Sequence, residues 1–156
     1  MVTLRLTTSD DVNTILTWNE PSENFLTQWS NFTYPLTKEQ FIERINAEDF
    51  TVFSIEYDRI LAGTVQLFSL DKESKTAKIG CYLLNPNLRG KGIGTSALEL
   101  LSQYAFKNLD LEKLKLSVFD FNTGAMKCYQ KVGFCKTGEY QLSNGWIGYN
   151  MELTRG

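Results

Sequence analysis

The spacing of hydrophobic positions changes period several times along this chain, and each change marks an element. Leu4 and Leu6 alternate with Thr3, Arg5 and Thr7, which predicts a short strand. Thr8-Ser9-Asp10-Asp11 then supplies helix caps, and a helix is predicted from about Asp11 to Trp18 with Val12, Ile15 and Leu16 inward and Trp18 as a further candidate for that face. From Asn19 to Thr37 there is no clean period. The stretch contains Pro21 and Pro35 and is dense in aromatic residues, with Phe25, Trp29, Phe32 and Tyr34, which is the character of a binding segment. Thr37-Lys38-Glu39-Gln40 resembles a capping box and opens a helix to about Asn46, with Phe41, Ile42 and Ile45 as its apolar stripe.

From Thr51 the period falls to two. Phe53, Ile55 and Tyr57 share one face, Asp58-Arg59 is a tight turn, and Ile60 to Phe68 returns as the second strand of a hairpin. Polar residues Asp71 to Lys75 turn the chain into a third strand, Thr76 to Leu84, which Pro86 stops. A helix follows from about Gly92 to Asn108 on the spacing of Ala97, Leu98, Leu101, Tyr104 and Ala105, and Leu114, Leu116 and Val118 make the next strand. That order is a parallel strand–helix–strand crossover, expected to be right-handed. Ala125, Tyr129 and Val132 line a further helix stopped by Gly133, and Phe134 to Glu139 pairs with Trp146 to Leu153 through a turn at Ser143-Asn144-Gly145. The fold class is therefore mixed α/β (α+β): a mostly antiparallel central sheet with one parallel crossover and helices on both faces.

Composition narrows the class of protein. With 156 residues, 42% of them hydrophobic, and a net charge of −2, a single globular domain over residues 1–156 is expected, and nothing in the charge favours nucleic acid or a membrane as partner. The opening Met1-Val2-Thr3-Leu4-Arg5 lacks a signal-peptide core and the three cysteines have no paired spacing, so a cytoplasmic protein is expected, as a monomer or homodimer. There is no histidine, which excludes histidine-dependent triads and the histidine zinc motifs. No metal is expected, and proton transfer falls to carboxylates, tyrosine, cysteine, lysine, backbone or water.

The chemistry gathers at Arg89-Gly90-Lys91-Gly92-Ile93-Gly94, between the third meander strand and a helix. Glycines at alternate positions allow close approach to a ligand, and bare N–H groups at a helix start carry partial positive charge, so this loop is a candidate phosphate cradle, the other reading being a glycine-rich turn with no ligand.

Two stretches taken together resemble the GNAT superfamily of N-acetyltransferases. Arg89, Gly92 and Gly94 match its Arg/Gln-x-x-Gly-x-Gly/Ala signature, and Asn122, Ala125, Tyr129, Gly133 and Phe134 match its later motif. The run from Ala77-Lys78-Ile79-Gly80 through Gly92, with Ala105-Phe106 downstream, is most similar to the branch of ribosomal-protein N-terminal and spermidine acetyltransferases. The resemblance implies acetyl-CoA as cosubstrate and a primary amine as acceptor, a small molecule or a peptide, attacked directly in a ternary complex. It implies a CoA pyrophosphate cradle of Leu88, Arg89, Gly90, Lys91, Gly92, Ile93, Gly94 and Thr95, with Tyr82, Leu83 and Leu84 presenting backbone to the pantetheine arm and Asn122 contacting cofactor. Leu84 N–H would polarise the thioester carbonyl, and Tyr129 would protonate the departing thiolate while also contacting the cofactor.

The base departs from the pattern. Where many relatives carry a glutamate, eleven residues before the signature Arg, this chain has Lys78, a base only if burial lowers its pKa. Glu20 and Glu23 are possible substitutes, and with Trp18, Phe25, Trp29 and Tyr34 they would suit a pocket for a peptide N-terminus, a polyamine or an aminoglycoside. Two rival readings stand beside this one. Gly92-Ile93-Gly94-Thr95-Ser96-Ala97 also satisfies the G-x-G-x-x-A dinucleotide fingerprint, with Asp120 after the following strand, and the missing glutamate allows a CoA-binding sensor without catalysis.

Overall fold

Alternation along one central strand sets the layers. The computed structural model describes residues 1–18, 37–88 and 90–156, with the backbone alone at residues 81–83. The elements run β1 (Val2–Leu6), α1 (Ser9–Leu16), α2 (Lys38–Asn46), β2 (Phe50–Tyr57), β3 (Ile60–Asp71), β4 (Thr76–Leu84), α3 (Ile93–Lys107), β5 (Lys113–Phe119), α4 (Thr123–Val132), β6 (Cys135–Gln141) and β7 (Ile147–Thr154). Successive side chains of a strand point to opposite faces. On β2, Phe53 and Ile55 therefore enter the main core with Ile93, Ala97, Leu98 and Leu101 of α3, while Val52 joins a second core with Val12 and Ile15 of α1 and Phe41 of α2. Helices cover both faces, as the sequence pattern predicts.

The strands form one seven-stranded sheet in the order β1-β2-β3-β4-β5-β7-β6. Every neighbouring pair is antiparallel except β4–β5, the pair joined through α3. This topology removes the dinucleotide-binding alternative, because a doubly wound fold needs a largely parallel sheet to bring its glycine fingerprint and acidic residue to one crevice. Asp120 instead continues toward β7, its N–H donating to the Ile147 carbonyl at 2.9 Å.

Helix α1 starts two residues earlier than its hydrophobic pattern indicates and ends at Leu16, short of Trp18. Asp11 is the cause. It sits in the first turn and its carboxylate accepts from Thr8 N–H at 2.9 Å, which places the cap at Thr8. The same carboxylate takes two bonds from the Arg5 guanidinium, at 2.7 and 2.8 Å, and one from the Ser54 hydroxyl at 3.1 Å. Trp18, a candidate both for the inner face of the first helix and for a substrate pocket, is 5% exposed and packed in the second core. Its large apolar ring is worth more there than at an open surface.

Two irregularities in β4 open the sheet where the chain approaches the glycine loop. The β3–β4 register shifts between Thr64↔Leu83 and Gln66↔Gly80, so β4 carries one extra residue, a bulge that bends the strand. On its other edge β4 pairs with β5 only at Thr76, Ala77 and Lys78, although β5 runs on to Phe119. Beyond Lys78 the two parallel strands part, leaving a wedge with Leu84 on one side.

Candidate active site

A 3-10 turn at Pro86–Leu88 carries the chain from the end of β4 to the loop, held by Leu88 N–H donating to the Asn85 carbonyl at 2.9 Å. Gly90 and Gly92 follow in left-handed conformations, with φ of 82° and 76°. Among the described residues, chain neighbours aside, no atom lies within 4 Å of where a Cβ would stand on either glycine. Gly92 is the N-cap of α3 and has no side chain to satisfy the first-turn donors, and no acidic residue occupies that turn. The N–H groups at the head of this fifteen-residue helix are therefore presented to an anion.

The facing wall is α4. Asn122 caps it by accepting from Ala125 N–H at 3.4 Å, and Gly133 ends it with φ of 118°. Between the two helices lies a cleft of about 490 Å³. It is lined by Leu84 from β4, by Gly90, Gly92, Gly94 and Thr95 from the loop and the head of α3, and by Asn122, Gly124, Ala125, Lys127, Cys128 and Lys131 from α4 and its cap. The Thr95 hydroxyl and the Cys128 thiol meet across it at 3.4 Å. A glycine-lined helix terminus, open backbone and two lysines make this a site for a phosphate-bearing molecule, and the residues present fit CoA. Among the described residues no carboxylate lines it. Among the described residues, no group of acidic residues and cysteines is placed to hold a metal ion.

The structure brings six of the expected site residues to this one cleft: Leu84, Gly90, Gly92, Gly94, Thr95 and Asn122. Leu88 and Ile93 turn their side chains to the main core, so any part they take is through backbone. Lys91 is exposed and outside the lining. Tyr129 is 7% exposed and packs with its ring centre 6.0 Å from that of Phe134, on the core side of α4 rather than among the lining residues. Tyr82 and Leu83 contribute described backbone only, and Arg89, Glu20 and Glu23, with Phe25, Trp29 and Tyr34, lie outside the described residues. Lys78 is exposed, so the burial that would turn a lysine into a base is absent.

Sequence reasoning missed Gly124, Lys127, Cys128 and Lys131. They recur at three- and four-residue intervals, the signal of a second helix face beside the apolar one at Ala125, Tyr129 and Val132.

Leu84 has a further property. Successive N–H groups of a strand point to opposite edges, and Asn85 N–H donates to Ala62 on the β3 side at 2.7 Å. The Leu84 N–H therefore points to the β5 side, into the wedge that β5 leaves.

Residues 14–134 match the family model of the acetyltransferase (GNAT) family, and the chain belongs to that family. It is 37% identical over 103 residues to a probable N-acetyltransferase, YjcK, of Bacillus subtilis, covering 64% of this chain and 56% of that protein. It is 36% identical over 87 residues to the spermidine N(1)-acetyltransferase of Escherichia coli K12, covering 56% of this chain and 46% of that one. The chain thus spans about half the length of these curated relatives. The solved structure of a Vibrio cholerae spermidine N-acetyltransferase in complex with CoA and spermine superposes with a TM-score of 0.83 at 23% identity, over 98% of this chain and 95% of that one, and so shares the fold. Among the described residues, no helix is long and apolar enough to cross a membrane.

Proposed function

We propose that this protein is an acetyl-CoA-dependent N-acetyltransferase acting on a primary amine. The observation that carries the reading is that the cleft unites the glycine loop and the Asn122–Lys131 helix face with the opening of the sheet at Leu84. Acetyl-CoA supplies the activated acetyl group. The chain contributes the N–H groups of Gly90 to Thr95 and the head of α3 as a pyrophosphate cradle, and the β4 edge as a partner for an extended, amide-bearing arm. Leu84 N–H is the hydrogen-bond donor aimed into the wedge, the place where a thioester carbonyl gains from a fixed dipole. Tyr129 is the proposed proton donor for the thiolate, on its match to the family motif.

The amine loses its proton to Glu20, to Glu23 or to solvent, since the described lining carries no carboxylate. Relatives named as spermidine acetyltransferases make a polyamine the first acceptor to test, ahead of an aminoglycoside or a peptide N-terminus. A cytoplasmic location suits such chemistry.

The test is release of free thiol from acetyl-CoA in the presence of each amine class. Turnover with one class identifies the acceptor. Binding of CoA with no release across the panel would replace the enzyme with a CoA sensor. The Tyr129→Phe variant is expected to lower the maximal rate while leaving CoA affinity nearly unchanged, and an unaltered rate removes Tyr129 from the mechanism.

A further inference from the structure

We propose that Lys127 and Lys131 bind the ribose 3′-phosphate of CoA and make the cleft select CoA over its 3′-dephospho form. The proposal rests on the CoA reading above and adds a second phosphate subsite to it. The two lysines are four residues apart on α4, so they stand on the same face about 6 Å apart along the axis. Like charges at that spacing on a helix repel each other mildly, and an anion between them removes the repulsion.

Their position relative to the loop separates the two phosphate sites. The Thr95–Cys128 contact sets the first turn of α3 level with the middle of α4. Asn122, Gly124 and Ala125 precede that level along α4, and Lys131 lies nearly a turn beyond it. A molecule whose extended arm runs along β4, and whose first phosphates meet the α3 terminus, carries its remaining phosphate outward toward Lys131. CoA has one such group, on the ribose.

Few of the described lysines have a carboxylate partner, and what sets these two apart is their place in the cleft lining. Lys75, Lys113 and Lys136 pair with Asp110, Glu152 and Glu139 at 3.4, 3.1 and 3.2 Å. Among the described residues neither Lys127 nor Lys131 has a carboxylate partner, and both line a cleft that holds no acidic side chain. Both are exposed, so their charge is available to a ligand without a desolvation penalty. An ammonium meeting a dianionic phosphate makes a charge-assisted bond, the stronger kind.

Calorimetric titration of CoA and of 3′-dephospho-CoA into the wild type and a Lys127→Gln/Lys131→Gln variant tests the idea without reference to turnover. The wild type is expected to hold CoA roughly 10-fold or more tighter than the dephospho form, and the variant to bind both alike, at the wild-type dephospho affinity. An equal loss for both nucleotides would mean the lysines act at the pyrophosphate, and the proposal fails while the CoA reading survives. A wild type that prefers neither nucleotide, or a preference that persists in the variant, also sinks it. If the wild type binds neither, the CoA reading falls with it. Circular dichroism of the variant separates any of these from loss of fold.

Discussion

The hydroxyl of Thr95 and the thiol of Cys128 lie 3.4 Å apart, and they join the two helices that flank the cleft. One is in the first turn of the helix that follows the glycine loop, and the other is in the middle of the helix that Asn122 caps. Segments about thirty residues apart in sequence thereby become the two walls of one site. The contact also places a half-buried thiol inside the cleft, where a bound molecule would cover it.

This gives a direct footprint of the cofactor. Cys128 lines the cleft and Cys135, just past the end of α4, is exposed on β6. Saturating CoA is expected to slow iodoacetamide labelling of Cys128 at least several-fold and to leave Cys135 unaffected, read peptide by peptide in a mass spectrometer. Equal labelling with and without CoA would place the cofactor elsewhere. Parallel protection of both thiols would indicate a general tightening of the protein rather than a covered cleft.

The glycine loop offers a matched pair of substitutions. Gly92 and Gly145 both have positive φ, 76° and 94°, and open space where a Cβ would stand. Alanine at either site carries the left-handed backbone strain of a non-glycine residue, about 1 kcal/mol. Only at Gly92, however, does the new methyl enter the cleft, whereas Gly145 lies in the turn between β6 and β7. Urea midpoints should fall similarly for the two variants, while CoA affinity should fall roughly 10-fold or more for Gly92→Ala alone. Equal affinities in both variants would remove close phosphate approach as the reason for glycine at 92.

Much of this arrangement is legible in the chain, because its signals are local. The period-two runs at Phe53, Ile55 and Tyr57, the capping box at Thr37, the glycine stop at Gly133 and the loop from Gly90 to Gly94 each depend on neighbours within a few residues, and the elements form where those signals place them. What escaped depends on tertiary contacts. Trp18 suits both a pocket and the inner face of the first helix by its pattern, and its place in the core with Phe41 and Val52 is decided by packing. The start of α1 moves to Ser9 because Asp11 answers Thr8 and Arg5 together, which no helical period records. The wedge between β4 and β5 is a failure of pairing after Lys78, and the alternation of β5 continues through it. Lys127 and Lys131 look like ordinary surface lysines until α3 is set opposite them.

The Arg5–Asp11 pair predicts an acid-sensitive fold. Asp11 is only 8% exposed, and its pKa is lowered to about 2 from the model-compound 3.8, first by the two hydrogen bonds from Arg5 and then by those from Thr8 N–H and Ser54, against the opposing effect of burial. A carboxyl held below its unfolded pKa stabilises the native state fully above about pH 4 and loses that contribution as pH falls toward 2. Its worth near neutral pH is about 2 kcal/mol, discounted somewhat because the half-exposed Arg5 is screened by water. The Asp11→Asn variant should therefore be less stable than the wild type by roughly 1–2 kcal/mol at pH 7, and the gap should shrink steadily below pH 4. Urea denaturation of both proteins between pH 7 and pH 2.5 measures it. A gap that stays constant with pH would show that asparagine costs the cap and the packing, and that the charge of Asp11 contributes nothing.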